Sequence, residues 1–252
     1  MKPEVSIITP LFNSSNYILD MIKSVKRQTF KNWELIIIDD CSTDNSYEKI
    51  RKIKDRKITY IKNKKNIGAG LSRNIGTKIA KGRYITFIDS DDLWHKNYLL
   101  KALHFIKNKN CKFVFTSYYW MSEKGDVKGL FNVPEFVDYK YILKSNPISC
   151  LTRMYDTKKL GKIYSPNLKI RQDYVFCLKI LKRVKYAYGL NLPLGYRRLR
   201  KNSLSNNKFI SAIYQFHVYY KIESLGLIKS IYLMLNWIIL GTFKHFKNYA
   251  VG

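Results

Sequence analysis

Cysteine is sparse and never clustered: Cys41, Cys111, Cys150 and Cys177 lie far apart with no C-x-x-C spacing. That argues against a zinc site or a thiol redox motif and fits a reduced, cytoplasmic setting. No leader is visible, because Met1-Lys2-Pro3-Glu4 runs straight into Val5-Ser6-Ile7-Ile8 with no signal-peptide core. No internal repeat or low-complexity tract is present. Acidic residues are also few. Against 18 Asp and Glu stand 46 Lys and Arg, a formal net charge of +28. The excess implies a polyanionic partner, whether nucleic acid, an anionic membrane surface or a phosphorylated small molecule.

What the chain does have is a core. Its 46% hydrophobic and 15% aromatic content argues against disorder. Val5–Thr9 reads as a buried strand ended by Pro10, and Tyr17, Ile18, Met21, Ile22 and Val25 recur at helical spacing. Glu34–Ile38 is a continuous apolar run of the kind a parallel strand shows when covered on both faces. It ends at Asp39-Asp40, where Ser42 or Thr43 can cap a helix. Further strands are expected at Ile58–Ile61, Arg83–Ile88 and Lys112–Thr116. Helices are expected over Gly68–Ala80 and from near His95 through Ile106. Such alternation predicts an α/β fold with a doubly wound, mostly parallel sheet flanked by helices. From Ser117 to about Pro147 the pattern breaks into loops and short elements rich in Tyr, Gly and Pro. A helix begins near Asp173, and the chain beyond Lys208 is helical, giving expected divisions at 1–116, 117–208 and 209–252.

The acidic tetrad Asp89-Ser90-Asp91-Asp92 follows the apolar run Tyr84–Ile88. Like charges this close repel, and one carboxyl tends to keep its proton. A hard divalent cation, Mg²⁺ or Mn²⁺, relieves the conflict and shares oxygen ligands with substrate phosphates. The alternative is a solvated acidic turn capping the next helix. In doubly wound sheets ligands bind beyond the carboxyl ends of strands. Pro10–Asn13, Asp40 and the tetrad all sit at such ends. Gly68-Ala69-Gly70 lacks a third glycine and does not follow the first strand, so a dinucleotide site is not expected. His95 and His104 are not expected to bind metal. A nucleic-acid-binding module is a rival on charge, yet the aromatics fall within apolar periodicity and the carboxylates repel a phosphate backbone. A nucleotidyltransferase is a further rival, but its glycine-rich signature is absent from Pro10 to Tyr17.

Leu225–Phe243 is strongly apolar but carries Lys229 and Asn236 on one helix face. It falls short of the roughly 20 apolar residues a bilayer span needs. Two readings stand: an interfacial helix bearing Tyr232 and Trp237 with Lys244 and Lys247 beyond, or a core helix packed on the domain.

The ordered blocks Val5–Asn13, Ser24-Val25-x2-Gln28-Thr29, Trp33–Asp40, Asn66-Ile67-Gly68, Arg73-Asn74, Lys81–Ile85 and Asp89–Asp92 together resemble a family 2 glycosyltransferase of the GT-A fold. The resemblance covers residues 4 to 116. Cys150-Leu151-Thr152, Arg171-Gln172-Asp173 and Asn202-Ser203-Leu204-Ser205 extend it to about 208 and are similar to bacterial members that build surface polysaccharides, teichuronic acid transferases among them. The resemblance implies a UDP-sugar donor lying across the strand ends, near Pro10 and Asn13. It implies a hydrogen bond from uracil to Asp40, and Arg73 helping to hold the base. Asp89 and Asp91 become the DxD element, with Asp91 on Mn²⁺ or Mg²⁺ and Asp89 on the ribose or a metal-bound water. Asp173, in a Gln-Asp pair where many relatives have Glu-Asp, becomes the general base for inversion; the alternative is an N-cap aspartate. Arg198 either closes over the diphosphate or belongs to a solvated basic loop. The expectation is an inverting, metal-dependent hexosyl- or N-acetylhexosaminyltransferase acting on a glycan or glycolipid acceptor: lipopolysaccharide, capsule or lipid-linked oligosaccharide. It would sit peripherally on the inner face of the cytoplasmic membrane, on an anionic surface and without a nucleic-acid partner.

Overall fold

Strand Val5–Leu11 (β1) shows why the sheet forms. All seven residues are buried, and neighbours along it point to opposite sides. Ile7 joins one apolar cluster, with Leu35 and Ile37; Ile8 joins the other, with Ile36 and Ile38. A strand that must cover both faces reads as an unbroken apolar run, and each such side chain contributes about 1.5–3 kcal/mol on burial. The computed structural model describes residues 2–200 and 207–249, with side chains through residue 239.

After β1 come α1 (Ile18–Lys26), β2 (Trp33–Asp39), α2 (Ser46–Ile50), β3 (Ile58–Lys62), α3 (Ala69–Ile79), β4 (Tyr84–Phe87), β5 (Leu93–Trp94) and α4 (Tyr98–Asn108). The second half holds β6 (Phe113–Met121), β7 (Val127–Phe131), β8 (Phe136–Val137), α5 (Tyr139–Lys144), β9 (Met154–Asp156), α6 (Thr157–Leu160), α7 (Gln172–Leu181) and β10 (Ala187–Arg198). Helices α8 (Lys208–His217) and α9 (Leu227–Tyr249) close the chain, joined by a π-helical turn over Val218–Ile222. The sheet order is β3-β2-β1-β4-β9-β6-β10-β5, with β7 beside β6 and β8 beside β10. β1 to β4 run parallel, as do β6 and β10, while β9 runs antiparallel between β4 and β6. Helices α1 and α4 cover one face; α5 and α7 cover the other. Helix α3 lies against β1 at Gly76, where a Cβ would stand 2.6 Å from Ile8 Cγ2.

Several expectations need correction. β1 does not end at Pro10 but continues to Leu11. Ile8 turns its carbonyl to β4, and Pro10, two residues on, faces the same side, where pairing has already stopped at Ile8–Phe87. No ladder bond is lost there. Ser42 and Thr43 do not cap α2. The helix starts at Ser46, whose N–H goes to Asp44 Oδ1, while Ser42 Oγ accepts from Asn13 N–H. The helix expected near His95 starts at Tyr98, because His95 N–H pairs with Leu194 O beside the short strand β5. The short elements expected over 117–147 are the end of β6, then β7, β8 and α5. Lys201 and Asn202–Ser205 lie outside the described residues.

All four cysteines are free. Cys111, Cys150 and Cys177 are buried, and burial pushes the Cys111 thiol up to about 11 and the Cys177 thiol up to about 12. A haloacetamide at about pH 8 should therefore modify Cys41 alone in the folded protein. Peptide mass spectrometry before and after denaturation checks this, and early labelling of Cys177 would contradict the packing of α7.

Candidate active site

The parallel strands β1, β2, β3 and β4 end at one edge, and their loops converge there. Asn13 adopts a left-handed φ of 45°, which Asn tolerates. Its N–H donates to Ser42 Oγ at 3.0 Å and its Oδ1 accepts from Thr43 N–H at 2.9 Å. The β1 loop is thereby stitched to the β2 loop. Pro10 is buried in the strand just before this junction. At the end of β2, Asp39 is structural, accepting from Ser42 N–H and from the Tyr60 hydroxyl. Asp40 is 3% exposed. Its Oδ1 accepts from Asn63 Nδ2 and Ile67 N–H, both at 2.9 Å, and its Oδ2 from Gly68 N–H at 2.7 Å. It thus shapes the turn that enters α3.

The first turns of α3 and α7 touch, since a Cβ on Gly70 would meet Gln172 Cγ at 2.8 Å. Arg73, buried on α3, donates from Nη2 to Asp89 Oδ1 at 2.5 Å, while its Nε and Nη1 have no protein acceptor. Burial raises the Asp89 carboxyl, but the Arg73 guanidinium outweighs it and holds Asp89 below the usual range. Asp91 and Asp92 go the other way. Burial lifts both, Asp89 adds to Asp91, and Asp91 and Asp89 add to Asp92, which rises well above the ordinary value. Asp91 Oδ2 meets Arg200 Nη1 at 3.3 Å, and Asp92 Oδ1 accepts from Arg198 N–H at 2.8 Å.

The Arg198 side chain is committed elsewhere than to an open clamp. Its Nε donates to Asp91 O at 2.8 Å, its Nη1 to Glu123 O at 2.5 Å, and it lies over the Tyr17 ring. Arg198 therefore ties the tetrad's backbone to the loop after β6, and Arg200 is the residue facing a carboxylate. Arg197 hydrogen-bonds the Tyr118 hydroxyl and adds positive charge near Asp89 and Asp92. Neither Arg197 nor Arg200 stands out in the sequence, where both belong to one basic run.

Asp173 lies in the first turn of α7, half-buried, with Oδ1 accepting from Tyr174 N–H at 2.9 Å. It is not the N-cap. Arg171 takes that position with a left-handed φ of 69° and no side-chain cap bond. Asp173 is close enough to Arg73 to act on its charge.

Carboxylate oxygens are the donors a hard cation prefers, and the crowding that lifts Asp91 is what such a cation relieves. Among the described residues, no three acidic, histidine or cysteine side chains converge on one point. Asp91 with Asp89 therefore fits an ion that shares its remaining ligands with phosphates, as Mg²⁺ commonly does.

An α/β sheet whose strand ends gather a buried guanidinium and an acidic turn is the architecture of a GT-A glycosyltransferase. The sequence profile of glycosyl transferase family 2 matches residues 6–161, and the chain belongs to that family. It is 40% identical over 243 residues to TuaG of Bacillus subtilis (strain 168), a glycosyltransferase assigned to teichuronic acid biosynthesis, covering 94% of this chain and 95% of TuaG. It is 37% identical over 248 residues to WfaP of Escherichia coli, covering 97% and 96% of the two chains. WfaP is named a UDP-Glc:alpha-D-GlcNAc-diphosphoundecaprenol beta-1,3-glucosyltransferase. The crystal structure of S. aureus TarS 1-349 in complex with UDP-GlcNAc matches with a TM-score of 0.74 at 25% identity, over 94% of this chain and 72% of that one.

Proposed function

We propose that this glycosyltransferase moves a hexosyl or N-acetylhexosaminyl group from a UDP-sugar, with inversion, to a lipid-linked saccharide of a surface glycan. The observation that carries the reading is the meeting of Asp91, the Arg73–Asp89 pair and Asp173 at one sheet edge. The names of WfaP and TarS's bound nucleotide support the donor and acceptor classes. Asp40 orders the base pocket, and Oδ2 keeps a lone pair for the uracil imide. The unpartnered nitrogens of Arg73 suit the donor's polar groups. Asp173 takes the acceptor hydroxyl's proton as that oxygen attacks the anomeric carbon. Asp91, with Asp89 beside it, would hold Mn²⁺ or Mg²⁺, the charge that neutralises the leaving diphosphate. Arg200 lies where it can follow that diphosphate once Asp91 engages a cation. Nucleoside diphosphate release, measured across UDP- and GDP-sugars with a lipid-diphosphate saccharide, tests the reading. No release with any UDP-sugar would reject it, and equal rates in chelator would reject its metal.

The membrane side rests on α9. Leu227, Ile228, Ile231, Tyr232, Leu235, Ile238 and Ile239 form one exposed stripe, with Ile228 86% exposed. The opposite face packs inward through Ser230 and Leu233. No helix among the described residues is long and apolar enough to cross a membrane. An amphipathic helix of this kind lies in the interface, and each nearby Lys or Arg adds about 1 kcal/mol on an anionic leaflet. The full chain should pellet with phosphatidylglycerol-rich vesicles, and the Ile228→Asp/Ile231→Asp/Leu235→Asp variant should stay in solution. Equal sedimentation of the two would remove α9 as the anchor.

A further inference from the structure

Arg153 is fully buried, lying between a 3₁₀ turn over Cys150–Thr152 and β9. Its guanidinium lies against an edge-to-face pair of rings, 4.2 Å from the Phe176 centroid and 5.0 Å from that of Phe87. Nη1 donates to the Asp173 carbonyl at 3.0 Å and to Cys177 Sγ at 3.4 Å. Nε and Nη2 find no acceptor. Among the described residues, no carboxylate pairs with it.

A cation in this position is a poor way to stabilise a fold. Desolvating a guanidinium is costly, and without an ion pair the two rings, one carbonyl and one thiol offset that cost only in part. An apolar side chain of similar length can lie against Phe87 and Phe176 without that penalty. The compensating gain must come from where the bond is directed. It goes to the backbone carbonyl of Asp173, the residue read above as general base. Phe87, against which Arg153 stacks, is the last residue of β4, two before Asp89. One side chain therefore joins the first turn of α7 to the strand end that carries the tetrad.

We infer that Arg153 is a positioning residue for glycosyl transfer: it sets the separation between Asp173 and the acidic turn. The inference rests on the reading of Asp173 as general base. It predicts that activity and stability part company. Arg153→Met should fold with an unfolding midpoint equal to or above the parent's, because the unpaired buried charge is gone. Its kcat should fall about 100-fold, the cost of a small misplacement of reacting groups, with donor KM within about twofold. Arg153→Lys, which keeps charge but cannot span the same contacts, should fold and lose about tenfold in kcat.

The proposal is overturned if Arg153→Met keeps kcat within about threefold, or if midpoint and kcat fall together as for a purely structural residue. Should Arg153→Met fail to fold, Arg153→Lys decides: a kcat near the parent's overturns the proposal. Asp173→Asn, assayed alongside, separates the two levels. If it retains turnover, the base assignment fails and the positioning role with it. If Asp173→Asn is inactive and Arg153→Met is not, only the positioning role fails.

Discussion

Asp173→Asn is expected to lower kcat by about 10³-fold, the usual worth of a general base, while donor affinity stays within about twofold. The structure explains why the defect should be confined to turnover. The Asp173 side chain makes one local bond, to Tyr174 N–H, and the amide oxygen of Asn can accept the same bond. It does not cap α7, since Arg171 occupies the cap position, so the helix loses only a first-turn charge, worth about 0.3–1 kcal/mol. Single-turnover rates and donor titration by fluorescence provide the measurement. A folded Asp173→Asn enzyme with near-parental turnover would exclude Asp173 from proton transfer.

Asp91→Asn carries an equally large expectation, a kcat loss of about 10³-fold, comparable to removing a principal electrostatic contact to a leaving group. Its effect on stability should be opposite in sign. Burial and the neighbouring Asp89 raise the Asp91 carboxyl, so proton binding favours the folded chain. That stabilisation is complete below the unfolded value and disappears as pH rises through the folded one. The neutral amide removes the pH-dependent penalty, and the ligand-free variant should melt at or above the parent near neutrality. Manganese and UDP together should raise the parent's midpoint by mass action and leave that of Asp91→Asn unmoved. An equal ligand-induced rise in both proteins would place the ion elsewhere.

The N-terminal half was legible because its strands announce themselves. Ile7, Ile8, Ile36 and Ile37 face two cores at once, so β1 and β2 read as unbroken apolar runs ending in polar, site-forming residues. The tetrad was equally visible, because three acids in so basic a chain stand out. The second half hid itself for physical reasons. β9 is three residues long and contributes through its neighbours rather than through periodicity. β10 carries Asn191-Leu192-Pro193, which shifts its register against β6 and masks the strand. The arginines around the tetrad were least legible. Arg198 meets Asp91 across 107 residues of chain, and no local pattern shows whether a guanidinium faces solvent, a carbonyl or a carboxylate. Arg153 left one faint signal, a lone charge inside the apolar stretch from Cys150 to Tyr155.

The place of β9 in the sheet has a bearing on biosynthesis. β4 and β6 never touch each other; Met154, Tyr155 and Asp156 supply the bonds that join them. A nascent chain that has emerged only as far as Met121 holds the β1–β4 half-sheet with an exposed, sticky border and a β6 that has none of its partner strands. The ribosome must deliver the segment through Asp156 before β6 can join that half-sheet, and Asp173 arrives on the next helix but one. Fragments cut near residue 116 should accordingly aggregate rather than bind nucleotide, and chaperone demand should peak before that late rivet is in place.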